Sequence, residues 1–182
     1  MANYFQQYKP FLLFLGKFFL AYLLLTVLYQ GYLGSFGDAK VDAVTKLVAR
    51  QTEWLLKVIN PESSVIEDKP HNVVQIIYQG KYVARIIEGC NAISVIILFV
   101  AFVIAFSGRL KPTVLFLFVG SVLVYILNIF RIALLTVLVY HFPEQEHFLH
   151  GVIFPLIIYG VVFLLWLFWV NKYSVYASGK SK

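Results

Sequence analysis

Cys90 is the one cysteine in the 182-residue chain. It stands in RIIEGCNAIS, two positions after Glu88, where a long apolar run begins. A thiol becomes a useful nucleophile when a neighbouring cation lowers its pKa and a base takes its proton. The chain offers both kinds of partner further along. Arg131 lies in NIFRIALL, inside another apolar run, with Asn128 one turn earlier on the same helix face. An arginine in such a run costs several kcal/mol unless it is paired or reaches water, which makes it a functional candidate by default. His147 and His150 follow in HFPEQEHFLH.

Together these residues could carry out acyl transfer. Cys90 would attack a carbonyl, and Arg131 would lower the thiol pKa or hold the oxyanion of a tetrahedral intermediate. One of the two histidines would act as general base and then protonate the leaving amine. Glu88 would orient one of the cations, as a third group orients the base in hydrolase triads. Each residue also has a plainer reading: Cys90 as packing, Arg131 as a snorkelling interface residue, the histidines as loop residues, and Glu88 as a partner of Arg85.

The elements that must position these groups follow from composition. The chain is 60% hydrophobic and only 13% charged, with a mean hydropathy of +0.80, whereas soluble domains carry about 25% charged residues. It reads as an all-α integral membrane protein, one membrane domain over 1–182. A spanning helix needs about 20 apolar residues, and four stretches qualify: about 11–32, 87–106, 113–142 and 151–170. The third would measure about 45 Å if straight, so a bend along the outer surface is one option. Arg109 and Lys111 in SGRLKP, with Lys172, Lys180 and Lys182 in the tail, place that side in the cytoplasm. Four spans then put both termini inside and residues 34–85 outside.

That outer segment is expected to be small and α+β. Val41, Val44, Leu47, Val48, Leu55 and Val58 recur near helical spacing, which suggests an amphipathic helix on the membrane surface. NVVQIIYQGKYVARI alternates around Gln79-Gly80 and reads as a β-hairpin leading to Glu88 and Cys90. Depth is the link to chemistry. Cys90 lies about 24 Å above Phe106, and Arg131 about 27 Å above Thr113, by the helical rise. Both fall near the outer boundary of a core about 30 Å thick, where His147 and His150 also lie.

Other chemistries are excluded or disfavoured. One cysteine permits no intramolecular disulfide and no cysteine-based zinc cage. The four histidines form no ligand set with carboxylates at helical spacing, apart from Glu144 with His147, so no metal is expected. The chain has no phosphate-cradling or dinucleotide motif, and no cofactor is implied. The net charge of +6 is scattered between apolar segments, which reads as topology rather than nucleic-acid binding. The first apolar run exceeds the h-region of a removable signal peptide, roughly 7–15 residues, and reads as a retained span.

The stretch EGCNAISVIILFVAFVIAF, then NIFR, then HFLHGVIF resembles the exosortase/archaeosortase family, most closely the short bacterial form called exosortase F. The family pattern is a cysteine at the outer end of one span, N-x-x-R in the next and a histidine opening the one after. The resemblance covers roughly 82–170. It implies an intramembrane cysteine protease or transpeptidase in the inner membrane of a bacterium, its site facing the periplasmic side. Its substrates would be exported proteins with a C-terminal sorting tail, which is cut and in some cases passed to a surface acceptor. Cys90 would be the nucleophile, Arg131 the oxyanion or thiolate partner and a histidine the base. His147 fits an H-x-x-x-G-x-x-F spacing with Gly151 and Phe154 and is slightly favoured over His150. Asn91 stands where many relatives have serine, a departure expected to bear on substrate fit. Larger members have helices this chain lacks, so transfer would need a partner protein, or the enzyme would only cleave. Two other readings stay open: a non-catalytic membrane subunit of a transporter or export complex, and an assembly factor whose outer segment binds a partner.

Overall fold

The structure, a computed structural model, describes residues 2–36, 41–106 and 109–172. Asp38 and Lys40, Ser107 and Gly108 of the SGRLKP turn, and the tail with Lys180 and Lys182 lie outside the described residues. The element order is α1 (Ala2–Gly34), α2 (Ala43–Ile59), β1 (Ser64–Asp68), β2 (Val73–Tyr78), β3 (Lys81–Ile86), α3 (Ile93–Ala105), α4 (Leu110–His141), a short α5 (Glu146–Phe148) and α6 (Phe154–Lys172). A π-helical turn over Leu149–Ile153 joins the last two. Among the described residues, three helical runs are long and apolar enough to cross a membrane: Tyr8–Gly34, Leu110–His141 and Pro143–Lys172.

The helices form an antiparallel bundle, and ring contacts set its order. Phe14 of α1 meets Phe106 at 4.3 Å at one end, while Tyr29 meets Asn91 at the other. Phe116 of α4 packs on Phe99 of α3 at 5.7 Å and on Trp169 of α6 at 4.9 Å. Phe102 stacks on Trp166 at 4.2 Å. Phe99, Val103, Val124, Val162 and Trp169 make the buried core of this layer. Gly120 lets α4 approach α3 closely, because a side chain there would run into the Phe99 ring.

The third helical stretch runs unbroken from Leu110 to His141. Its last turns leave the bundle to pack against the sheet, with Tyr140 on Tyr78 at 5.2 Å. The second apolar stretch differs from expectation. Its helix covers 13 residues, Ile93–Ala105, or about 20 Å, against an expected start at 87. Apolar continuity hides the break: Ile87 is apolar, yet Glu88–Cys90 form a single 3-10 turn, and Ala92 is left-handed at φ 69°.

The segment between α1 and α3 holds the expected helix and hairpin, together with a strand the sequence did not signal. The sheet order is β1-β2-β3, antiparallel throughout. Gln79 and Gly80 both have positive φ, 51° and 73°, which is the two-residue turn whose twist suits a hairpin. Helix α2 starts at Asp42, whose carboxylate accepts the Val44 and Thr45 amides at 2.9 and 3.0 Å. The face it buries comprises Thr45, Val48, Ala49, Thr52 and Leu56, packed with Val74, Ile76, Tyr78, Ile132 and Ala133. The sequence-derived stripe is thereby split: Val41 and Val48 turn inward, whereas Leu47 and Val58 are exposed. Gln51 accepts a 2.6 Å hydrogen bond from Tyr125 of α4, so α2 lies alongside α4 rather than apart from it.

Candidate active site

Cys90 ends the 3-10 turn between β3 and α3, and its amide bonds the Ile87 carbonyl at 2.8 Å. The turn is held from α4 as well. Asn128, 3% exposed, donates from Nδ2 to the Cys90 carbonyl at 2.7 Å. One turn further along α4 comes Arg131. Its Nε is buried without a hydrogen-bond partner, an arrangement that ordinarily costs about 1–3 kcal/mol. His150 sits in the π-helical turn at the head of α6, a local widening often found at functional positions.

Cys90, Arg131 and His150 line one pocket of about 480 Å³ between β3, α4 and the turn before α6. Thr136 and Glu146 contribute to the same wall. Glu146 precedes His150 by one helical turn, the spacing at which a carboxylate can reach an imidazole. Arg131 also lines a second cavity of about 350 Å³, an apolar groove between α2, α4 and α6 walled by Leu55, Leu134, Phe154 and Ile158. The cation therefore stands between a pocket of mixed polarity and an apolar groove.

Two sequence candidates fall elsewhere. His147 is exposed in α5 and does not line the pocket with Cys90. Glu88 turns away from Arg131 and lines a separate cleft with Gln30, His71 and Asn72. Nor does it pair with Arg85: the ion pairs among the described residues are Lys46–Glu67, Lys57–Glu53 and His71–Asp68. Asn91 also departs from its expected role. Its side chain is 1% exposed and bonds to α1 and α2, outside the pocket with Cys90. An asparagine just ahead of an apolar run is a helix-start signal, so this role was open to a reading of the sequence. The contributions of Thr136 and Glu146 carry no sequence signal beyond the spacing of Glu146 to His150. No group of three or more His, Cys, Asp or Glu side chains suited to a metal ion occurs among the described residues.

The pairing of a cysteine turn, an N-x-x-R helix and a histidine turn in one membrane bundle has a counterpart. The family model described as transmembrane exosortase matches residues 10–170. The chain belongs to that family. No curated protein and no solved structure matches it significantly. This exosortase is thus a membrane protein whose described helices include three able to span a bilayer.

Proposed function

We propose that this exosortase is a cysteine protease or transpeptidase that cleaves the C-terminal sorting tail of exported proteins at the outer face of a bacterial inner membrane. The observation that carries the reading is the pocket shared by Cys90, Arg131 and His150, which arrive from three separate segments. In the first step His150 takes the proton of the Cys90 thiol, and the sulfur attacks the scissile carbonyl carbon. The Arg131 guanidinium, which lines the same pocket, donates to the developing oxyanion. Collapse of the tetrahedral intermediate breaks the C–N bond, His150 returns its proton to the leaving amine, and a thioester on Cys90 remains. Water or an acceptor nucleophile then gives its proton to His150 and attacks the thioester, releasing the thiolate. The apolar tail of the substrate rests in the groove on the far side of Arg131, the residue that lines both cavities.

His150 is the base in this proposal and His147 is not, because only His150 shares the pocket. Asn128 acts by holding the Cys90 backbone. In the topology we propose, α3 crosses as a short fourth span, with Arg109, Lys111 and Lys172 on the cytoplasmic side and the sheet outside. The test is processing of a co-expressed exported reporter with a C-terminal transmembrane tail, read by gel shift. Cys90→Ala, Arg131→Ala and His150→Ala should abolish the shift, and His147→Ala should keep it. Persistent processing by Cys90→Ala would move the export-subunit reading to first place.

A further inference from the structure

The turn that presents Cys90 is fixed by residues outside the reacting pocket. Asn91 Oδ1 accepts the Ile93 amide at 3.1 Å and so starts α3. Its Nδ2 donates to the Tyr29 hydroxyl of α1 at 2.7 Å and to Thr45 Oγ1 of α2 at 3.2 Å. The next residue, Ala92, is buried and left-handed at φ 69°, ψ −11°. A residue with a Cβ occupies that region only where its surroundings impose it. On the opposite side the Cys90 carbonyl is held by Asn128. The backbone on either side of the thiol is therefore tied to α4 by one asparagine and to α1 and α2 by another.

We propose that Asn91 is a positioning residue, which by binding Tyr29 and Thr45 holds Ala92 left-handed and so aims the Cys90 sulfur at Arg131 and His150. The inference rests on Cys90 being the nucleophile, and it replaces the expectation that Asn91 tunes substrate fit. Because Tyr29 belongs to α1 and Thr45 to the first turn of α2, the aim of the sulfur depends on where those two helices sit. Loss of the anchor lets Ala92 relax towards negative φ, which rotates the turn and draws the sulfur away from its cation and base.

Two readouts on the full-length protein test this. Cys90 is the one thiol in the chain, so the rate of its alkylation by iodoacetamide at a fixed pH reports that group alone. Kinetics of reporter processing supply kcat and KM. With Asn91→Ala, and more mildly with Tyr29→Phe, the alkylation rate at a fixed pH should change from that of the wild type as the sulfur leaves its place in the pocket. Processing kcat should fall by about 10- to 100-fold, the scale of a 1 Å misplacement, with KM nearly unchanged. The double variant Tyr29→Phe/Asn91→Ala should be no worse than Asn91→Ala, since both act through one contact. If Asn91→Ala does not fold, Tyr29→Phe carries the test alone. An unchanged alkylation rate, additive effects, or a rise in KM at constant kcat would overturn the proposal. Failure of the parent reading looks different: Cys90→Ala would still process the reporter, while the alkylation profile would still report on the turn.

Discussion

Gly120→Ala tests whether α3 and α4 approach as closely as the site requires. A methyl group at Gly120 would overlap Cζ of Phe99 and lie 2.7 Å from its Cε1. Carbon atoms in contact prefer about 3.5–4.0 Å, so the ring or α3 must withdraw by about 1 Å. The ring has little freedom, because Phe99 is fully buried and faces Phe116 at 5.7 Å. Overpacking of this kind costs about 1–3 kcal/mol, and alanine returns about 0.5–1 kcal/mol of helix propensity. The net loss is at most about 2.5 kcal/mol by those figures, or up to about 10 °C in Tm for a chain of this size. Asn128 lies about 12 Å further along α4, and its 2.7 Å bond to the Cys90 carbonyl would leave the normal range if α3 moved by an ångström. Thermal unfolding in detergent and reporter processing should therefore both decline. Adding Phe99→Leu, which clears the ring from the new methyl, should recover part of each. A Gly120→Ala protein with a raised Tm and unchanged processing would refute the reasoning.

Three further outcomes follow from other parts of the molecule. Arg131→Lys keeps a cation but loses the planar donor set, so processing should fall by roughly 100- to 1000-fold, the range for a lost oxyanion donor, while expression stays normal. Leu134→Trp enlarges an exposed side chain in the apolar groove and should raise KM for a tailed reporter without changing the rate of Cys90 alkylation. The third concerns pH. Partial burial would raise the Asp68 carboxyl, but hydrogen bonds from His71 and from Gln75, the latter at 2.7 Å, outweigh it and hold it below its ordinary value. Its contribution is present above about pH 4 and disappears as pH falls through the lowered folded value, so thermal scans should show an acid-side loss of stability that Asp68→Asn lacks.

The elements with local causes were legible in the sequence. The hairpin was, because Gln79-Gly80 accepts positive φ between two alternating runs, and so was the outer helix, from its periodic apolar residues. Strand β1 was not. Its five residues, SVIED, acquire strand character only by pairing with β2 across the Asp68–Val73 end. The start of α3 was misplaced because hydrophobicity carries no record of φ, and the break comes from Ala92 and the contacts of Asn91. That Cys90 and Arg131 come to one level was legible from polarity against an apolar background, and the two line one pocket. The choice between His147 and His150 was not, since motif spacing does not report which imidazole faces the pocket. Glu88 misled for a similar reason: two residues along a tight turn is enough to put it on the opposite face from Cys90.

The most direct measurement is intact-mass analysis of the full-length protein after brief incubation with a tailed substrate. The account predicts an adduct equal to the N-terminal cleavage fragment, held on Cys90 as a thioester and released by hydroxylamine. Cys90→Ala should show no adduct, His150→Ala should show far slower formation, and His147→Ala should match the wild type. Substrate cleavage by Cys90→Ala, or an adduct that needs His147 rather than His150, would contradict it.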